Sequence, residues 1–193
     1  VDSAHALRSQ GKNQEAAVIF DKIIAQYPND PASAMAYAGK AQLLLDVEDL
    51  SAAKALALKA LNLFPNSPAR GEIEKIIGKI NSELLYGGAQ MEGTEIYTIA
   101  KGDRLETLGR KFNVSPDLIK RVNRIRDSRA LRVGRRIKIP KTNFSIVVNK
   151  TDNTLTLYNN KEFFKKYTVR TGKEDYLTPV GDFTIESKVV NPP

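Results

Sequence analysis

The spacing of apolar positions divides the chain into three stretches. Residues 1–86 carry apolar side chains at helical intervals, and we predict helices near 2–10, 14–27, 31–45, 49–64 and 69–85. Residues 95–140 begin and end with short alternating runs that enclose two helical stretches, and from residue 143 alternation dominates. We therefore predict a multidomain α plus α+β plus β fold: a helix-pair solenoid, a βααβ module, and the first strands of an antiparallel β domain.

An internal repeat supports the helical prediction. The run EAAVIFDKIIAQYPNDP from Glu15 matches AAKALALKALNLFPNSP from Ala52 at a constant offset of 37 residues. Self-similarity at such a period is typical of stacked helix pairs, and the segment resembles tetratricopeptide repeats, whose period is about 34 residues. Two roles stay open for residues 1–86: a groove that binds a protein partner along the first helix of each pair, or a spacer. The glycine-rich residues 87–94 are predicted to be a linker.

Charge and composition limit the available chemistry. The formal net charge is +8, and residues 91–142 account for it, with 14 Lys and Arg against 6 Asp and Glu. Cysteine is absent, which excludes disulfides, thiolate metal ligands and a thiol nucleophile from these residues. The single histidine, His5, has no second histidine to pair with, and we assign it no role. We predict no metal and no cofactor. We also predict no membrane span, because no apolar run reaches about 18 residues.

The middle stretch carries a spaced motif. Gly102 and Asp103 predict a turn, with Asp103 capping a helix that runs to about Phe112, and Ser115 with Pro116 predicts the start of a second helix. The segment resembles a LysM domain in its opening, its central asparagine and its close, which lie at Tyr97, Ile99, Gly102, Asp103, Leu105, Asn123, Leu131, Gly134, Ile137, Ile139 and Pro140.

That resemblance implies a glycan site. LysM domains bind chains that contain N-acetylglucosamine, chiefly peptidoglycan or chitin, in a shallow groove between two loops. Transferred to this chain, the loops are residues 102–105 and 123–131. The implied glycan-binding residues are Gly102, Asp103, Arg104, Leu105, Asn123, Ile125, Arg126 and Leu131.

The second loop and the strand after it are unusually rich in arginine, at positions 124, 126, 129, 132, 135 and 136. One interpretation is a solvated basic face without a ligand. Another is a preference for anionic wall polymers, whose carboxylates or phosphates arginine binds bidentately. A nucleic-acid partner would also suit basic residues, but we identify no recognition helix or stacking aromatic residues. We therefore favour glycan and predict no nucleic-acid partner.

The last stretch predicts antiparallel strands. FSIVVNK and NTLTLYNN flank a turn at TDN, and KEFFKKYTVRTG and GDFTIESK follow as further strands. Alternation predicts a core made of Ile146, Val148, Leu155, Leu157, Phe163, Tyr167, Val169, Phe183 and Ile185.

The run TPVGDFTI resembles the first half of an L,D-transpeptidase catalytic domain, through Thr178, Pro179, Gly181, Phe183 and Ile185. Such enzymes cross-link peptidoglycan stem peptides through a cysteine thioester and often carry LysM domains. The family's catalytic histidine and Ser-His-Gly-Cys stretch do not occur here, so no catalytic residue is predicted, and we expect these residues alone to be inactive.

Together, these resemblances predict the peptidoglycan-binding front part of a longer L,D-transpeptidase. They place it in the extracytoplasmic bacterial envelope, in the periplasm or cell wall, with no signal segment in this chain. The alternative is a non-catalytic wall-binding adaptor whose helical repeats recruit a partner protein.

Overall fold

The computed structural model describes residues 1–127, 131–172 and 177–185. Its first part contains helices α1 (Asp2–Ser9), α2 (Asn13–Gln26), α3 (Ala34–Asp46), α4 (Leu50–Leu63) and α5 (Arg70–Tyr86), with a 3-10 turn at Pro31–Ser33. All five predicted helices are present. No described helix has both the length and the apolar character needed to cross a membrane.

The internal repeat is visible in the helices themselves. Helices α2 and α4 begin 37 residues apart and end 37 residues apart, in agreement with the sequence offset. Ala16 and the matching Ala53 are both fully buried. Such small side chains let neighbouring helices approach closely, and the core of α3, α4 and α5 is built largely from alanine and isoleucine.

The second part has the predicted βααβ order. Strand β1 (Thr94–Thr98) is followed by α6 (Leu105–Phe112), α7 (Pro116–Val122) and strand β2 (Arg136–Pro140). The two strands pair antiparallel, from Thr94 opposite Pro140 to Thr98 opposite Arg136. One face of this ribbon packs on both helices through a single apolar cluster that includes Ile99, Leu108, Ile119 and Ile137.

The capping prediction for α6 is wrong. The N-cap residue is Arg104, which makes no side-chain cap bond. The carboxylate of Asp103 accepts hydrogen bonds from the Ala100 amide (2.7 Å) and the Tyr97 hydroxyl (3.0 Å) instead. It closes the turn before the helix, and the N-cap position falls one residue later, at Arg104. Ser115 and Pro116 do precede and begin α7 as predicted, although the Ser115 hydroxyl makes no cap bond.

The third part is a small antiparallel sheet of β3 (Phe144–Asn149), β4 (Thr154–Asn159) and β5 (Glu162–Thr168), in that order. The predicted turn lies between β3 and β4. Residues 181–185 form no strand, which contradicts the start of the predicted strand GDFTIESK, and the remainder of that prediction lies outside the described residues.

The predicted core of this sheet is partly wrong. Ile146, Val148 and Tyr167 are 43–45% exposed, and Phe183 and Ile185 are more than 70% exposed. The residue that is buried is Phe164, at 5% exposure. The main packing partner of the described sheet residues lies against β5. Phe144 of β3 and Leu157 of β4 reach the cluster around Phe164, but the other β3 residues are exposed, so alternation along β3 does not produce burial there.

That partner is helix α5. The Asn81 amide donates hydrogen bonds to the carbonyls of Phe163 (3.3 Å) and Phe164 (3.0 Å), along the outer edge of β5. The buried Glu74 carboxylate contacts the Lys166 ammonium at 3.0 Å and the Arg70 guanidinium at 2.7 Å. The helical segment is therefore a packing surface for the sheet.

All three parts meet in one apolar junction. It contains Leu85 of α5, Met91 of the predicted linker, Val122 of α7 and Phe164 of β5, all buried. The predicted linker thus contributes a buried side chain to a shared core.

Candidate functional site

The first predicted glycan loop is held by a hydrogen-bonded turn. Gly102 has φ +90°, a conformation that strains any residue with a Cβ. Asp103 fixes both ends of the turn through Ala100 and Tyr97. The hydrogen bond to the Asp103 carboxylate, with some desolvation, raises the pKa of Tyr97.

The second loop is anchored at its start by Asn123. Its amide nitrogen donates to the carbonyls of Ile119 (2.8 Å) and Lys138 (2.7 Å), while its amide oxygen accepts from the Lys138 amide at 2.7 Å. The side chain therefore clamps the end of α7 to β2. We expect it to support the loop, with its donors and main acceptor already engaged.

Arg124 turns the chain out of α7. Its φ is +51°, and the amide of Ile125 donates to the Lys120 carbonyl at 2.9 Å. This is the left-handed exit that glycine usually occupies after a helix. The Arg124 side chain is exposed. Its left-handed backbone conformation costs some free energy, because the residue has a Cβ.

The predicted site residues separate into a supporting and an accessible set. Leu105 and Ile125 are buried and share one apolar cluster with the half-buried Leu131, so the two loops meet at their bases. Asp103 and Asn123 are half-buried and bonded internally. The predicted residues exposed to solvent are Gly102, Arg104 and Arg126. Arg129 of the same loop lies outside the described residues.

Sequence reasoning missed a second concave region beside these loops. The Lys138 ammonium donates to the carbonyls of Gly87 (2.8 Å), Gly88 (3.2 Å) and Ala89 (2.6 Å), and so fixes the predicted linker against β2. A cavity of about 610 Å³ lies here. The outward position of Lys138 in an alternating strand was the available signal, but its partners follow only from the fold.

The motif of the third part makes polar contacts. The Thr178 hydroxyl accepts from the Gly172 amide at 2.8 Å, and the Thr178 carbonyl accepts from the Lys150 ammonium at 2.8 Å. Within the described ranges no group of three His, Asp or Glu residues is arranged to hold a metal ion.

Comparison with known proteins identifies two regions. Residues 97–140 match the family model of the LysM domain, and residues 143–193 match that of the L,D-transpeptidase catalytic domain. No curated protein and no solved structure matches the chain. The two matches indicate a cell-wall or envelope protein. Residues 97–140 are therefore a LysM domain, and residues 143–193 belong to the L,D-transpeptidase catalytic domain family.

Proposed function

We propose that the LysM domain holds N-acetylglucosamine-containing peptidoglycan strands between residues 102–105 and 123–131. The supporting observation is that β1–β2 pairing and one apolar cluster bring the two loops together at one end of the domain. Because packing and hydrogen bonds already hold the described residues of both loops, binding would spend little free energy on ordering them. Leu105, Ile125 and Leu131 support this groove from below.

Three predicted residues would contact the sugars. Gly102 leaves its backbone accessible, because nothing lies within 4 Å of the position a Cβ would take. Arg104 and Arg126 are exposed on the two loops, and neither guanidinium has a hydrogen-bond or ion-pair partner among the described residues. They could donate to glycan hydroxyl and acetamido oxygens.

Calorimetric titration with the N-acetylglucosamine tetramer tests this assignment. We expect the double variant Arg104→Ala/Arg126→Ala to bind at least about fivefold more weakly, because charge-assisted hydrogen bonds at exposed sites contribute modestly. Arg110→Ala, on the exposed side of α6, is the control. Equal affinity of the double variant and the wild type would overturn the role of these two residues.

We also propose that the chain is the glycan-binding front part of an L,D-transpeptidase in the periplasm or cell wall. Thioester chemistry needs a cysteine, which these 193 residues lack. Acylation by a penem of the protein expressed from its complete gene would support the enzyme. Absence of acylation would support a wall-binding adaptor.

One observation favours the adaptor as the second candidate. Helices α1, α3 and α5 line a groove of about 510 Å³ that includes Arg8, Gln42 and Lys75. Arg8 and Gln42 contact the Asp46 carboxylate and Lys75 contacts the Glu72 carboxylate, and the backbone and carboxylates of an extended peptide can compete for these side chains. A nucleic-acid partner is not proposed. Affinity for a neutral glycan should change little with salt, whereas nucleic-acid binding falls steeply.

A further inference from the structure

A cavity between the predicted linker and the LysM domain has the composition of a ligand site. We name it the linker pocket and define it by Tyr86, Gln90, Arg124 and Arg136, with an apolar floor of Ile96, Val122 and Ile137. Its volume is about 610 Å³. It meets the proposed glycan groove at Asn123, where the second loop begins.

The charge of the linker pocket is unbalanced. Arg124 and Arg136 are exposed, and neither guanidinium has a hydrogen-bond or ion-pair partner in the described parts of the chain. No Asp or Glu occurs among the lining residues. The third cation, Lys138, contacts only carbonyl oxygens, which satisfy its donors without cancelling its charge. An anionic ligand would complete this site.

The walls of the pocket are fixed in place before any ligand binds. Three hydrogen bonds from Lys138 hold the linker. The left-handed turn after α7 fixes Arg124, and pairing opposite Thr98 fixes the backbone of Arg136. Tyr86, the last residue of α5, is 44% exposed and offers an aromatic face.

We propose that the linker pocket binds a sugar bearing a carboxylate arm, within the glycan strand that occupies the LysM groove. Two guanidiniums can bind a carboxylate bidentately. A tyrosine ring and an aliphatic floor suit the apolar face of a pyranose, and the Gln90 amide suits its hydroxyls. The proposal rests on the proposed glycan-binding function and extends it from neutral amino sugars to acidic ones whose carboxylate is free, which in peptidoglycan means sugars that carry no stem peptide.

The experiment compares three tetrasaccharides in calorimetric titrations of the whole chain. One contains only N-acetylglucosamine, one alternates N-acetylglucosamine with N-acetylmuramic acid, and the third is the second with its carboxylates converted to amides. The wild type should bind the acidic tetrasaccharide about tenfold more tightly than its amide, because charged hydrogen bonds are roughly twice as strong as neutral ones.

The variant Arg124→Gly/Arg136→Gln tests the pocket. Glycine readily adopts the positive φ of position 124, so the turn should survive. The affinity ratio of acid to amide should fall to about one. The control variant, Lys79→Gln/Arg110→Gln, loses the same charge elsewhere and should keep the tenfold ratio, which excludes a general effect of net charge. Tyr86→Ala should weaken both ligands without changing their ratio.

Each outcome separates the two proposals. A wild-type ratio near one, a ratio that persists in Arg124→Gly/Arg136→Gln, or an equal loss in the control would overturn the linker pocket. Failure of the neutral tetramer to bind would overturn the proposed groove. In that case, acid binding that depends on Arg124 and Arg136 would still support the pocket.

Discussion

The two edges of the small β-sheet differ in what covers them. Along β5, Asn81 satisfies two backbone carbonyls and Phe164 is buried in the junction. Along β3, the consecutive residues Ile146, Val147 and Val148 are all exposed, although this strand is the more apolar of the two. The sheet therefore takes its packing from the helical segment, whereas that segment has a core of its own.

The largest effect should come from truncating Phe164. Its ring packs edge-to-face on Phe144, with centroids 5.2 Å apart, in the cluster shared by all three parts. Phe164→Ala should lower the free energy of unfolding by about 3–5 kcal/mol, as large-to-small core changes do. Urea titration measures this. Val147→Ala on the exposed edge should cost less than about 0.5 kcal/mol, and equal losses would remove the distinction between the edges.

A smaller loss is expected at Asn81, which is 2% exposed. Asn81→Ala leaves two β5 carbonyls beneath α5 without their donor, which should cost about 1–3 kcal/mol. Hydrogen exchange of the β5 amides should also become faster. The neighbouring Ser82→Ala is the matched control, because it loses a 2.7 Å hydrogen bond to the Gly78 carbonyl within α5 and a 3.3 Å contact with the Lys165 ammonium, but no bond to the β5 backbone. If the Asn81→Ala protein were as stable as Ser82→Ala, the hydrogen bonds from Asn81 to β5 would not contribute to stability.

The smallest effect should be a pH dependence confined to the helical segment. Burial against Phe20 and the nearby Arg8 charge lower the pKa of His5. Protonation is thus less favourable in the folded state, so stability is unaffected well above pH 6.5 and falls as the pH drops through that value. The Tm should decrease between pH 7.5 and pH 5.5, and His5→Phe should reduce that decrease. An unchanged pH profile in His5→Phe would contradict this.

Local patterns predicted the elements well. Apolar spacing predicted the limits of α2 and α4 to within one residue, and it predicted the βααβ order of the second part. Side-chain orientation in the sheet was harder to predict. A register shift at Leu157 and Tyr158 interrupts the alternation between β4 and β5. Phe164 is consequently buried, while Phe163 packs against the helical core.

At the candidate site, too, the positions of the loops were predictable from the sequence, whereas the contacts of their side chains were not. Motif spacing located both loops, but it did not show that Asn123 is occupied by α7 and β2 or that Asp103 turns back toward Ala100. The linker pocket depends on Tyr86 and Lys138, which are 52 positions apart. Only the packed junction brings them together, so no local signal was available.

The three bonds from Lys138 to the linker carbonyls have a mechanical consequence. A flexible tether would let the LysM domain sample many orientations, whereas this ammonium and the Met91 contact fix it against the neighbouring sheet. A polymer strand held by the LysM loops would then be presented to residues 143–172 at one constant offset and direction. In that arrangement the LysM domain would set the distance between a bound strand and residues 143–172.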